Sequence, residues 1–334
     1  MNMTRRLGVA LTAMAVLAGA GCESTGGKAP AARAGTRVAR TNYHGWADAL
    51  LLRSATTEVV VAPAIGRVLQ FGFAGEEGVF WENRALDGQT PPWNPKDWVN
   101  FGGDKTWPAP EGEWSKQTKF AGWRPPPGFD GMAAQARVEG GDVILTTPVD
   151  PSYGIRATRR MHLDAQQPVL TITTTYERVS GEPSKVGIWV ITQLKEPVGI
   201  YVPGPPNATA PKSYTLLMKE PPPSLKAGNG MVSLTRNPQA SHKVGSEAGA
   251  LVWVGEKAAL RIDSPRVSGA EYPDQGSSAE VYTNPDPLKY IELEMLGPLR
   301  TLAVGEKMER VNTYTLYRRT GATAEAEARR ILNR

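Results

Sequence analysis

The sequence predicts an all-β sandwich followed by one short C-terminal helix, and three observations carry that expectation. Short apolar or alternating runs recur along the chain, separated by turn residues. The 334 residues include 35 Gly and 28 Pro, which favours many turns over long helices. Only the stretch 323–332 has helical spacing, with Glu325 and Arg329 four apart for an ion pair. About fifteen strands and a single helix fit a large sandwich, not a parallel α/β fold in which helices alternate with strands. No internal repeat is present.

The first residues read as a targeting leader. Arg5 and Arg6 form a basic start, residues 7–20 are apolar, and Gly19-Ala20-Gly21 precedes Cys22. The apolar run is too short and too rich in Ala and Gly for a membrane span. Cys22, the only cysteine, excludes disulfides and cysteine-based metal sites. Its place resembles the lipobox of bacterial lipoproteins, although Gly19 stands where those proteins usually carry Leu. The expected organisation is a signal peptide over 1–21, a flexible tether over 22–40 after lipidated Cys22, a β-sandwich over 41–320 and a helical end over 321–334. The expected location is therefore the bacterial cell envelope, exported and lipid-anchored. Cleavage before Cys22 removes Arg5 and Arg6 and no acid, which lowers the net charge from +5 to +3. With no dense basic tract, nucleic acid is excluded as a partner.

The strand pattern begins near Glu58. V-V-V at 59–61 is followed by a P-A-I-G turn, a strand over 67–73, a turn at 75–78 and V-F-W at 79–81. Asn83, at the end of that run, either faces a cleft or caps a turn. Between 87 and 131 strand signals thin out, and a long irregular insert in a compact domain is more often functional than idle. Strands resume at 143–145, 154–163 and 169–179. In the last, Leu170, Ile172 and Tyr176 alternate with Thr171, Thr173 and Thr175, the period of a strand with one buried face. The run 186–194 puts Trp189, Ile191 and Gln193 on one face, where Gln193 is either an amide in an aromatic pocket or a buried side chain bonded to backbone. Residues 203–230 are rich in Pro and Gly and read as loop. A hairpin over 251–254 and 258–262, then 279–283, 290–296 and 308–318, complete the strands.

The richest stretch is W-V-N-F-G-G-D-K-T-W-P-A-P-E-G-E-W, Trp98 to Trp114. Gly102 and Gly103 permit backbone conformations closed to other residues and a close approach by another group. Asp104 and Lys105 stand beside an aromatic platform at Trp107. A sugar ring asks for that combination, because its C–H face stacks while its hydroxyls need directional partners. The bland alternative is a stiff loop whose Trp residues plug the sandwich. Further on, Glu292 and Glu294 share one face of a strand, where mutual repulsion suits one of them to proton transfer. A solvated strand face explains them equally well. His44, His162 and His242 lack the spacing of metal ligands, and no phosphate-binding loop or nucleophile elbow is present, so neither metal nor cofactor is expected.

Several segments resemble the galactose mutarotase-like (aldose epimerase-like) superfamily: N-Y-H-G-W at 42–46, the Gly66-Arg67 strand, V-F-W-E-N at 79–83, E-V-Y-T-N at 280–284, Glu294, L-A-V-G-E at 302–306 and T-Y-T-L at 313–316. G-G-D-K-T-W-P-A-P-E is similar to a bacterial branch with no assigned activity. The likeness covers nearly all of the chain after Arg40. It implies a β-supersandwich whose broad concave face binds carbohydrate. In the family's epimerases a late-strand Glu takes the anomeric proton and a His protonates the ring oxygen. Glu294 falls where that Glu would, with Glu292 as the alternative one pleat away. The strand that should end in the His ends in Gln193, and an amide binds a hydroxyl but does not supply a proton. His162 or Lys105 would substitute only if the fold brought it to the same ring. The leading expectation is therefore an envelope-anchored protein that binds a carbohydrate or glycan fragment through Asn83, Asp104, Lys105, Trp107, Gln193, Glu292 and Glu294. An aldose 1-epimerase-like enzyme and a structural envelope lipoprotein follow.

Overall fold

Two antiparallel sheets account for nearly all the regular structure in the computed structural model, which describes residues 35–91, 98–204 and 214–333. The first sheet runs, in spatial order, Arg37–Tyr43, Trp46–Arg53, Thr57–Ala62, Arg67–Phe73, Asp104–Ala109, Ser184–Lys195, Tyr290–Leu296, Ala279–Thr283, His242–Ser246 and Thr215–Leu216. The short strand Arg300–Leu302 extends it beside Ser184–Lys195. The second sheet is built around Ala258–Asp263, Lys307–Arg318, Val169–Arg178 and Ile155–Leu163.

The core lies between the sheets. Leu52, Val59, Val61, Phe71 and Phe80 meet Met161, Leu170, Ile172, Leu260 and Ile262, all buried in one continuous cluster. In Val169–Arg178 the alternation read from the sequence is realised, with Leu170, Ile172, Thr174 and Tyr176 buried. The helix Ala324–Leu332 is capped by Thr323, whose hydroxyl accepts from the Ala326 amide. It seats Ala328 and Ile331 on Tyr201, Val252 and Val254, and the expected Glu325–Arg329 pair closes at 2.8 Å.

Besides short strands at Thr215–Leu216 and Lys226–Gly228 inside the segment read as loop, and an unread strand at His242–Ser246, the structure corrects the sequence reading in two larger respects. The sandwich starts before Glu58, with a hairpin of Arg37–Tyr43 and Trp46–Arg53. Its first strand begins inside the segment expected to be tether. Second, the supposed irregular insert holds a central strand, Asp104–Ala109, paired with Ser184–Lys195 from Thr192↔Asp104 to Gly187↔Ala109. D-K-T-W-P-A hides as a strand because polar side chains are buried on both of its faces and it carries Pro108, which cannot donate to a ladder.

The two glycines before it act as the sequence suggests. Gly102 and Gly103 have φ of +88° and +72°, and an added Cβ would lie 2.3 Å from the Trp81 carbonyl oxygen and 2.5 Å from that of Val68. The chain thus crosses between two neighbouring segments at a separation only glycine allows.

Candidate functional site

The site is one face of the first sheet, and strand register decides who shares it. Residues directly opposite one another point the same way. Trp107 opposes Trp189, Lys105 opposes Ile191, Ile191 opposes Glu294, and Gln193 opposes Glu292. On the next strands Glu280 opposes Glu294, Tyr282 opposes Glu292, and Lys243 opposes Tyr282. Residues 104–109, 184–195, 290–296, 279–283 and 242–246 therefore put three carboxyls, two lysines and two tryptophans on one surface. The intervening residues Val281, Ile291, Leu293 and Met295 face the core.

That surface floors a cleft of about 770 Å³. Trp98, Trp107, Trp123 and Trp189 wall one side, with Glu111 at their edge. Asp274, Gln275, Tyr282 and Tyr290 lie among the remaining lining residues. Trp123 is 53% exposed, whereas Trp107 and Trp189 are buried. The rings meet mostly edge to face, with centroids 5.1 Å apart for Trp98 and Trp123 and 5.5 Å for Trp107 and Trp189. Asp130 fixes the wall from behind, accepting from Trp107 Nε1 at 2.8 Å and Trp98 Nε1 at 3.2 Å while paired with Arg67.

On the floor Lys243 Nζ lies 2.8 Å from Glu280 and 3.1 Å from Glu294, and 4.5 Å from the centre of the Trp189 ring. Trp189 Nε1 donates to Glu294 at 2.7 Å. Burial pushes Glu294 well above the usual carboxylate range despite Lys243, with repulsion from Glu280 and Glu292 adding to it. Burial likewise pushes Glu280 up to about 7, against the pull of Lys243. Burial alone would lower Lys243, but Glu294 and Glu280 reverse this and hold it charged. A raised pKa leaves more of Glu294 protonated at a given pH, and in that form it donates a hydrogen bond to a ligand. Beside it, Lys105 Nζ sits 3.7 Å from Glu292 and over the Trp107 ring at 4.4 Å, making no hydrogen bond to the described residues. Its complete burial lowers its pKa, with Glu292 opposing.

The expected site residues divide. Lys105, Trp107, Gln193, Glu292 and Glu294 share this face. Of these, Trp107, Glu292 and Glu294 line the cleft, while Lys105 and Gln193 lie behind it. Gln193 donates to Glu292 at 2.7 Å, so it positions that carboxyl. Asp104 points the other way, into the core between the sheets. There it pairs with Arg159 and accepts from Thr192 at 2.6 Å and Tyr314 at 2.7 Å. Asn83 caps the turn Arg84–Leu86 and donates to the Asn100 carbonyl, the turn-capping alternative. His162 is exposed on the second sheet and paired with Asp142, and it takes no part in the cleft. Cys22 lies outside the described residues. The sequence reading missed Lys243, Glu280, Glu111 and Asp274. Glu280 stands inside the E-V-Y-T-N segment and Glu111 ends the G-G-D-K-T-W-P-A-P-E segment, both noted for their resemblance, but nothing local marks Lys243 and Asp274.

A β-supersandwich with a concave, aromatic and carboxyl-bearing sheet face defines a protein of galactose mutarotase-like fold. Solved structures agree: a galactose mutarotase-like protein from Lactobacillus casei superposes with a TM-score of 0.54 at 9% identity, covering 80% of this chain and 100% of that one. Galactose 1-epimerase from Lactobacillus acidophilus gives 0.51 at 14% identity, covering 85% and 99%. A TPR-domain containing protein from Parabacteroides distasonis gives 0.54 at 13% identity over 82% of this chain, which spans only 47% of that protein. At these identities the likeness is one of fold. No curated protein matches the chain. Within the fold, residues 48–317 match the family described as a domain of unknown function, DUF4380, and the chain belongs to that family.

Proposed function

We propose that the cleft binds carbohydrate and that the protein does so on the cell envelope, anchored through a lipid on Cys22. The observation that carries the binding reading is the exposed face of Trp123 standing over a floor of Glu292, Glu294 and Lys243 in a cavity of ligand size, about 770 Å³. An aromatic plane takes the C–H face of a pyranose, and the floor supplies donors and acceptors for its hydroxyls. Fold likeness to an epimerase supports a sugar-sized ligand and carries no activity with it.

Binding without turnover fits better than catalysis of anomer exchange. Glu294, the residue the resemblance casts as base, has one oxygen already occupied by Trp189 Nε1 and Lys243, and its burial raises its pKa. Gln193 stands where the resemblance would put the acid. The epimerase reading keeps one point in its favour, the Lys105–Glu292 pair, in which an amine of lowered pKa adjoins a carboxyl of the cleft.

Calorimetric titration of the full chain with a sugar panel tests the proposal. Trp123→Ala should weaken binding by about 1–3 kcal/mol, the scale of one aromatic anchor, with little change in stability. Glu294→Gln should weaken it as well, while polarimetry shows little or no acceleration of mutarotation. Fast anomer exchange abolished by Glu294→Gln would instead establish the epimerase. For the anchor, Cys22→Ser should move the protein from membranes to the soluble fraction, and an unchanged distribution would refute lipidation.

A further inference from the structure

The charges around the cleft do not balance, and the imbalance lies at its mouth. Four lining residues are acids, Glu111, Asp274, Glu292 and Glu294, against one lining cation, Lys243. Lys243 is committed to Glu280 and Glu294, and Lys105 faces Glu292 from behind. Glu111 and Asp274 close no salt bridge among the described residues, and the only charge that offsets Glu111 is that of Lys243, already shared by Glu280 and Glu294. Among the described residues Glu111 accepts from Trp123 Nε1 at 2.7 Å, and burial raises its pKa against the pull of Lys243 and Trp123, with Asp274 and Glu292 adding to the rise. Asp274 and Gln275 sit at φ of 48° and 59°, left-handed conformations uncommon for residues other than glycine.

Deeper in the same cavity, fully buried Glu294 keeps one carboxyl oxygen without a hydrogen-bond partner. Such an atom is costly unless a ligand completes it. Carboxyls in excess over cations beside tryptophan faces, in a low-dielectric cleft, draw positive charge and repel negative charge.

We propose that the sugar taken by this cleft carries a free amino group, its ammonium held by Glu111 and Asp274 beside Trp123 while the ring enters toward Glu294. The inference rests on the carbohydrate reading and narrows it to amino sugars. An N-acetylated sugar loses the charge, and a uronic acid reverses it.

A matched set of ligands tests this on the purified full chain: glucose, glucosamine, N-acetylglucosamine, glucuronate, and a glucosamine oligomer with its fully N-acetylated counterpart. Calorimetric titration should give Kd values for the amine-bearing members about tenfold or more below those of their neutral partners, with the gap narrowing as salt rises. Glu111→Gln, which keeps the acceptor for Trp123, and Asp274→Asn should each shrink the ratio. Neutral or acidic sugars bound as tightly as the amines would overturn this inference and leave the carbohydrate reading standing. No binding by any member would overturn both. A ratio unchanged in both variants would remove Glu111 and Asp274 as the ammonium site.

Discussion

Asp104 has no contact with solvent, so its charge is compensated only by Arg159, Thr192 and Tyr314. Removing it strands a guanidinium in the core, and Asp104→Ala should cost about 3–5 kcal/mol in urea unfolding. Glu280 offers a test through pH. Its folded value, about 7, exceeds the ordinary 4.5 of a Glu side chain, so between the two the folded state keeps a proton that the unfolded chain has released. The stability that Glu280 contributes is therefore lost as pH rises through this window, and its share of the loss levels off above it. Glu280→Gln should flatten the fall, and an unchanged slope would show that Glu280 is not the titrating group. Glu292 and Glu294 were legible as a pair because alternation along one strand fixes their face. Lys243 and Glu280 were not, because they join the pair only through cross-strand register, and no local pattern encodes register.

At the scale of elements, the 98–114 stretch behaves as both of the things its composition suggested. Trp107 lines the cleft and is also a plug, 4% exposed and bonded to Asp130, so Trp107→Ala should cost about 3–5 kcal/mol of stability. Loss of binding in that variant would not separate the two roles, and Trp123 is the better probe. The glycine pair is a second constraint: Gly103→Ala forces a Cβ to 2.5 Å from the Val68 carbonyl oxygen at φ +72°. A loss of about 2 kcal/mol or more, read from thermal unfolding, is the expected outcome. Composition showed that this backbone was special. It did not show that a strand follows, since burial on both faces erases the period-two signal and proline argues against a ladder.

For the whole molecule, the floor of the cleft is assembled from distant parts of the chain, with Ser184–Lys195 between Asp104–Ala109 and Tyr290–Leu296. The fold class was readable because it depends on local alternation and turns. The strand order was not, because it depends on long-range pairings that no local pattern encodes. A site made this way exists only in the folded state, so ligand and fold are linked. Ligand at a hundred times its Kd should stabilise the chain by about 2.7 kcal/mol in one unfolding transition, followed by circular dichroism. Stabilisation confined to a separate early transition would mean that the cleft folds apart from the sandwich.

The tryptophan wall also has an optical consequence. The chain has nine tryptophans, and five of them, Trp98, Trp107, Trp114, Trp123 and Trp189, are linked ring to ring at 5.1 to 6.1 Å. At such separations excitation passes between indoles and settles on the one with the reddest emission. That ring is Trp123, the most water-exposed of the set. A ligand stacked on it would dry the emitter and shift the emission of the whole cluster to the blue, so the protein carries its own fluorescent report of an occupied cleft.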